Sequence, residues 1–238
     1  MIKVQTFAVV HDQDLILVQN AHYKNNCENL TWILVGKDKP TDKLDVIPSQ
    51  VNYIKAETLK YNIEDNKELL HMTAYYAIIK NKLIDKDTTH VRFIEYDMIF
   101  SASYKRDCNL LLQYNLQIYC HKELNTNFHV NKPDEHFAIV DDIFRNEYHI
   151  DPMQLFRNKK WMVSINFILR VDFFNDFFKF FWKHRKKFIG NYHAGQNVER
   201  LFSTYCLHNN INWRLIPYCR HHFCNSHGTT YGKIKVLT

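Results

Sequence analysis

Short runs of consecutive apolar residues alternate with longer segments of helical periodicity in the first half of the chain. The runs at 4–10, 30–36 and 90–97 are rich in β-branched and aromatic residues, which is typical of strands buried on both faces. Between the second and third runs, residues 68–83 contain neither Pro nor Gly and carry apolar side chains at helical spacing. The order strand, strand, helix, strand predicts an α/β fold with a mostly parallel central sheet flanked by helices.

The second half of the chain has a more mixed pattern. Further elements are predicted at 108–115 (helix), 136–149 (helix), 161–170 (strand), 195–210 (helix) and 211–218 (strand). Another helix carries a stripe of phenylalanines at helical spacing: Phe173, Phe174, Phe177, Phe178 and Phe181. Such a stripe is typical of a helix that packs against the core.

The composition predicts a single domain, 1–238, with 217–238 as a carboxyl-terminal tail segment. With 238 residues, 46% of them hydrophobic and 24% charged, the chain can build one core and does not resemble a disordered protein. No apolar run approaches the roughly 18–20 residues that span a bilayer, and the amino terminus lacks the apolar stretch of a signal peptide. We therefore expect a soluble cytoplasmic protein without a membrane span, in the host cytoplasm if the chain is viral. Its 6 Cys are expected to be mostly buried thiols.

Two carboxylates end the apolar run of the segment VRFIEYDMIF: Glu95 and Asp97, on either side of Tyr96. Residues i and i+2 of an extended backbone point to the same side, so both carboxylates can approach one cation. Oxygen ligands suit a hard divalent ion such as Mg²⁺ or Mn²⁺. His11 and Asp12 follow an earlier strand and, in a parallel sheet, open onto the same edge. The alternative is a strand that ends in a solvated turn.

Four segments in a fixed order carry a family resemblance: AYYAIIKNKL, THVRFIEYDMIF, SINFILRVDFFNDFFKFFW and NVERLFSTYCLHNNI. Together they resemble a small glycosyltransferase of the glycosyltransferase-A fold, similar to bacterial and large-virus sugar transferases, over roughly residues 70–215. The resemblance implies a nucleotide-sugar donor of the UDP or GDP type and a glycan or other hydroxyl acceptor. It also implies Mn²⁺ or Mg²⁺ on the donor diphosphate.

The resemblance implies roles for individual residues. Asp97 corresponds to the principal metal ligand of a DxD-like motif. Glu95 stands where the family more usually has aspartate, and binds either the metal or the donor ribose or a water on the metal. His11 and Asp12 match the region that holds the nucleotide base and ribose. Tyr96 belongs to the same donor site.

Lys80 and Asn81 match a helix end near the donor in the resemblance, although a surface lysine and a helix cap are the structural alternatives. Glu199 is the best candidate for the base that takes the proton of the acceptor hydroxyl. An ion pair with Arg200 or a neighbouring lysine is its alternative. Asp142, beside Asp141, is a weaker candidate for the base.

The carboxyl-terminal segment CRHHFCNSHG is dense in metal-binding side chains. The resemblance implies one further histidine ligand for the donor metal, and His221 and His222 are the candidates. A structural zinc site with Cys219, Cys224 and His227 is an alternative, although the Cys spacing is long for zinc and no second Cys pair lies nearby. The third reading is a tail whose histidines have no such role.

Two other functions remain open. The net charge of +6 suits an anionic ligand, whether a nucleotide, a phosphorylated sugar or a nucleic acid. A single-stranded nucleic-acid-binding module would use the basic run 183–187 with aromatic faces, but that run is local and the aromatic residues have core spacing. A metal-dependent phosphoesterase would use Glu95 and Asp97, and would need further ligands that the sequence does not reveal.

Overall fold

The chain folds around one mixed seven-stranded sheet, in a computed structural model that describes residues 2–36, 49–96, 98–125, 135–157, 159–162, 166–216 and 219–221. The strands are β1 (Val4–Val10), β2 (Leu30–Leu34), β3 (Tyr53–Lys55), β4 (His90–Glu95), β5 (Met98–Phe100), β6 (Ile118–Cys120), β7 (Glu123–Asn125), β8 (Lys160–Met162), β9 (Phe167–Arg170), β10 (Trp213–Leu215) and β11 (Cys219–His221). The α-helices are α1 (Gln13–Asn26), α2 (His71–Lys80), α3 (Tyr104–Leu112), α4 (Ala138–Tyr148), α5 (Pro152–Phe156), α6 (Val171–His184) and α7 (Ala194–His208).

The order of strands across the central sheet is β10-β6-β9-β4-β1-β2-β3. All pairs in this sheet are parallel except those of β9, which runs antiparallel to both of its neighbours, β4 and β6. Two small antiparallel pairs, β5 with β11 and β7 with β8, lie outside the central sheet. The predicted α/β fold with a mostly parallel central sheet is confirmed.

Two apolar cores cover the two faces of the sheet. Alternate residues of β1 point to opposite faces, so Phe7 and Val9 enter one core while Ala8 and Val10 enter the other. Helices α2, α4, α6 and α7 pack on the first face, and α1 and α3 pack on the second. The predicted phenylalanine stripe of α6 lies in the first core, with every member buried.

Several elements differ from the sequence prediction, among them the following three. Helix α1 lies between β1 and β2, where no helix was predicted. The predicted strand 161–170 is two strands, β8 and β9, which belong to different sheets. The predicted helix 68–83 is shorter, because a 3₁₀ turn at Lys67–Leu69 precedes α2 and Leu70 separates the two. Among the described helices, none combines the length and apolar character needed to cross a bilayer.

Candidate functional site

The carboxyl ends of β1 and β4 meet at one edge of the central sheet. Val9 pairs with Glu95 in the parallel register, so the residues that follow each strand are neighbours. The His11 ring contacts the Tyr96 ring edge-on, with centroids 4.8 Å apart. This contact brings His11 to the end of β4, the strand that leads to Asp97 in sequence. Asp97 lies outside the described residues.

The Glu95 carboxylate is held from both sides. Its Oε1 lies 3.0 Å from Nε2 of His71, the first residue of α2, and its Oε2 accepts a hydrogen bond of 2.7 Å from Asn166 Nδ2. Asn166 Oδ1 accepts a second bond from the Glu95 backbone N–H at 2.6 Å. The Tyr23 hydroxyl donates to the Glu95 carbonyl and accepts from the Met98 N–H at 2.9 Å. These contacts fix the backbone on both sides of position 97.

A chain of buried polar groups continues inward from Glu95. The His121 Nδ1 lies 2.8 Å from the Asn166 carbonyl, and its Nε2 lies 2.8 Å from the Tyr104 hydroxyl. A carbonyl only accepts, so Nδ1 carries the proton and Nε2 accepts from the hydroxyl. Burial, with a smaller contribution from the Glu95 carboxylate, raises the pKa of Tyr75 on the neighbouring turn of α2. The Glu95 carboxylate is therefore surrounded by ordered polar groups, with its side chain 19% exposed.

A cavity of about 140 Å³ opens beside this carboxylate. It is lined by Leu69, Leu70, His71, Met72, Glu95, Gly195, Gln196, Val198 and Glu199. The structure thus brings Glu199, from the first turns of α7, to the same space as Glu95. The volume is below the roughly 300–1,000 Å³ typical of pockets that enclose a whole ligand.

The wall of the cavity includes a strained residue. Leu70 has φ 47° and ψ −119°, a conformation that a residue with a side chain rarely adopts. Its side chain packs on Gly195, where an added Cβ would overlap Leu70 Cδ1. Strain of this kind costs about 1–3 kcal/mol and clusters at functional sites. The start of α2 and the start of α7 are therefore in close contact across the cavity.

Strand β11 pairs with β5, the strand that follows the predicted metal ligand in sequence. In the antiparallel pair of β5 and β11, the backbone of His221 is in register with Met98, the residue that follows Asp97. His222, Cys224 and His227 lie outside the described residues, so the zinc alternative stays a prediction.

Other predicted site residues lie elsewhere or have structural partners. Lys80 is the last residue of α2 and Asn81 caps its carboxyl end, about 14 Å along the helix axis from His71. The Asn81 amide donates to the carbonyls of Ala77 and Tyr61 at 2.8 and 2.7 Å, which is the cap alternative. Asp12 caps α1 by accepting from the Asp14 N–H at 3.0 Å.

Asp142 is not brought to the cavity. Its carboxylate binds Lys187 Nζ at 2.6 Å and Asn146 Nδ2 at 2.6 Å. The hydrogen bond from Lys187 lowers the pKa of this carboxyl group. Asp142 is therefore an ion-pair partner on α4, and Glu199 is the candidate base that faces the cavity.

The basic run 183–187 is partly neutralised by α4. Lys183 Nζ and His184 Nδ1 lie 2.9 and 3.1 Å from the two carboxylate oxygens of Glu147. Lys187 binds Asp142, and the Arg185 guanidinium stacks on Trp182 at 4.2 Å from the ring centroid. These contacts favour a structural helix end over a nucleic-acid surface.

A larger cavity, of about 760 Å³, lies between α5, α7 and β10. Three of its polar side chains bind one another: Lys160 pairs with Glu123, and Trp213 Nε1 donates to the same carboxylate at 3.2 Å. None of its lining residues belongs to the edge where β1 and β4 end. We therefore assign the candidate site to the smaller cavity, where the converging carboxylates lie.

Two residues of the site were not singled out from the sequence. His71 was one position of a predicted helix, and the break at Leu70 that places it at a helix start has no sequence signal. Asn166 was part of the motif SINFILR, but its contact with Glu95 depends on the reversal of β9. The sequence signal that could have identified Asn166 was an amide side chain directly before a buried strand.

No protein-family model and no curated protein sequence matches this chain. Among solved structures, the chain is similar to the apo form of WbbM, a bifunctional glycosyltransferase, with a TM-score of 0.61 and 14% identity. That alignment covers 92% of this chain but only 45% of WbbM. A second similarity, to apo mouse xyloside xylosyltransferase 1, has a TM-score of 0.40 and 8% identity, and covers 89% of this chain and 84% of that one. The first alignment confirms the predicted glycosyltransferase fold.

Proposed function

We propose that this chain transfers a sugar from a nucleotide-diphosphate-sugar donor to a hydroxyl group of a glycan or similar acceptor. One observation carries the proposal: two carboxylates from distant parts of the chain, Glu95 and Glu199, line one cavity at the carboxyl edge of the sheet. The glycosyltransferase fold also supports this proposal. Helices α2 and α7 also begin at this cavity, and their positive ends favour an anionic donor.

We assign the donor metal, Mn²⁺ or Mg²⁺, to Asp97 with His221 as a further ligand. The register of β5 with β11 supports this pair. A carboxylate with an imidazole suits Mn²⁺ better than Mg²⁺, because imidazole is the softer ligand. The ion would stabilise the charge that develops on the leaving diphosphate.

Glu95 has a separate role in this proposal. Both of its carboxylate oxygens already contact protein groups, His71 on one side and Asn166 on the other. This favours a hydrogen bond from a donor ribose hydroxyl over direct metal ligation. His11 and Tyr96, which contact each other at the same edge, provide an aromatic surface for the base.

Glu199 acts as the base. As the acceptor oxygen bonds to the anomeric carbon, the bond from that carbon to the diphosphate oxygen breaks, and the hydroxyl proton moves to the Glu199 carboxylate. Its presence among the lining residues of the cavity, with Glu95 and His71, supports this role.

Thermal unfolding tests the donor assignment. With Mn²⁺ present, at least one of UDP, GDP and their sugars should stabilise the protein, by about 2.7 kcal/mol at 100 times its Kd. Asp97→Ala should unfold at the wild-type temperature without ligand and lose this stabilisation. Asp142→Asn is the matched control, because the Asp142 carboxylate is paired with Lys187 outside the cavity. This variant should still be stabilised by the ligand.

Enzymatic release of the nucleotide in the presence of a panel of sugar acceptors tests the transfer. The proposal is wrong if no nucleotide or nucleotide sugar stabilises the protein with Mn²⁺. It is also wrong if Asp97→Ala binds the donor with wild-type affinity.

A further inference from the structure

A second group of metal-binding side chains lies outside the cavity. Glu135, His136 and His193 each offer one ligand atom, and these atoms all lie within 4.8 Å of one another. His193 Nε2 is 3.1 Å from Glu135 Oε1, and the two imidazole rings have centroids 4.2 Å apart. We propose that this group binds a Zn²⁺-class transition-metal ion.

The geometry needs only small side-chain movements to reach metal coordination. Ligand atoms about 2.1 Å from a tetrahedral ion lie about 3.4 Å from one another. The Glu135 side chain is 73% exposed and can adjust, whereas that of His193 is 18% exposed and held in place. Across the described chain, the buried His193 Nδ1 has no hydrogen-bond partner. The nitrogen that faces the other ligands is Nε2, 3.1 Å from Glu135 Oε1, on a side chain that has already lost most of its water.

The backbone that carries these ligands is fixed by one buried amide. Asn197 Nδ2 donates to the carbonyls of Glu135 and His193 at 2.9 and 3.0 Å, and its Oδ1 accepts from the Ile139 N–H at 3.0 Å. Asn197 is fully buried, on the first turns of α7. It thus holds the segment before α4 against the start of α7. Such support, which positions ligands before the metal arrives, is typical of built metal sites.

The ligand chemistry indicates which ions fit. Two imidazoles and one carboxylate form a set that suits Zn²⁺ and neighbouring transition metals, and not Mg²⁺ or Ca²⁺. Three protein ligands leave a fourth position for water or for another group. This site shares no residue with the cavity, so the proposal of a metal site does not depend on the proposed sugar transfer.

The position of the site gives it a structural consequence. His193 directly precedes α7, the helix that brings Gly195 and Glu199 to the cavity. A metal bound here would link that helix to the start of α4. Zinc binding should therefore stabilise the folded chain and order the wall of the cavity that carries Glu199.

The test measures metal on the full chain by equilibrium dialysis with Zn²⁺ and by the visible d–d absorption of Co²⁺. The wild-type protein should bind one more equivalent than His136→Gln or His193→Gln, and Co²⁺ should give a four-coordinate spectrum. Glu135→Gln, at a side chain that is 73% exposed, should weaken Zn²⁺ binding by about tenfold or more, since even outer partners of a metal ligand are worth that much.

Controls separate this site from the other candidate ligands. Asp97→Ala and a triple Gln variant of His221, His222 and His227 should still bind this additional equivalent of Zn²⁺. His149→Asn, an exposed histidine at the other end of α4, should do so as well. If Glu135→Gln and His193→Gln both bind Zn²⁺ with wild-type stoichiometry and affinity, the proposal is wrong.

Discussion

The His71 imidazole lies 3.0 Å from the Glu95 carboxylate and joins the first residue of α2 to the last residue of β4. The opposite oxygen of the same carboxylate binds Asn166, directly before β9. A helix and two strands are therefore tied together at one acidic side chain. The candidate site depends on this contact, because it fixes the backbone that leads into position 97.

Asn166→Ala should lower the free energy of unfolding by about 2–5 kcal/mol. It leaves the Glu95 N–H and one carboxylate oxygen without their partner, and each such buried group costs about 1–3 kcal/mol or more when charged. Urea denaturation measures the change. Asn146→Ala, at an exposed position on α4, is the control and should stay within about 0.5 kcal/mol of wild type. An equal loss in both variants would contradict the assignment.

Glu199→Gln should lower the rate of sugar transfer by about 100- to 10,000-fold, the usual contribution of a general base. The amide keeps the shape of the side chain but cannot take the proton, so donor affinity should not change. Initial rates and donor titrations measure the two quantities. Asp142→Asn should transfer at the wild-type rate, and the reverse outcome would identify Asp142 as the base.

His221→Gln should raise the Mn²⁺ concentration needed for half-maximal donor binding. The register of β11 with β5 pairs the backbone of this residue with Met98, which follows the predicted Asp97 ligand in sequence, and the amide is a weaker metal ligand than imidazole. Titration of Mn²⁺ at fixed donor concentration gives the value. His227→Gln serves as the comparison, and equal Mn²⁺ requirements in both variants would remove His221 from the site.

Leu70→Gly should be more stable than Leu70→Ala by about 1 kcal/mol. Both variants lose the contact with Gly195, but only glycine relieves the positive φ, and this gain exceeds the entropy cost of about 0.5–1 kcal/mol for glycine. Thermal and urea unfolding of the two variants provide the comparison. A more stable alanine variant would show that the backbone at this position is not strained.

Acid should destabilise the protein through buried histidine. Burial lowers the pKa of His90, so the unfolded chain takes up this proton near pH 6.5 while the folded chain does so only at lower pH. The free energy of unfolding should therefore fall as the pH decreases from about 6.5 toward the folded-state pKa, and it should not depend on this group above that range.

His90→Gln should reduce the slope of stability against pH in this window. It should not abolish it, because burial lowers the pKa of His184 as well. Urea denaturation at a series of pH values measures the slope. The exposed His149→Asn should retain the wild-type slope, and an unchanged slope in His90→Gln would assign the effect to other groups.

The central strands were predictable because burial on both faces leaves continuous apolar runs. Helix α1 was not, since its amphipathic pattern is reversed in places: Gln13 and Gln19 are buried while Leu17 and Val18 are exposed. The break between β8 and β9 was also hidden, because an apolar run does not show where a chain leaves one sheet for another.

The candidate site was predictable where it follows strand ends, and not where tertiary contacts build it. His11, Tyr96 and Glu95 follow directly from the parallel register of β1 and β4. Glu199 was selected by its chemical type. His71 reaches the site because the helix begins after Leu70, and the apolar periodicity of the sequence does not indicate that start.

The reversed strand β9 also determines when this protein can fold. It lies between β4 and β6 at the middle of the sheet, although it is synthesised about seventy residues after β4. A nascent chain that has not reached Phe167 exposes two facing strand edges, which are prone to pairing with other chains. Ribosome-bound intermediates of this length should depend on chaperones, and the amino-terminal half should not be obtainable as a stable fragment.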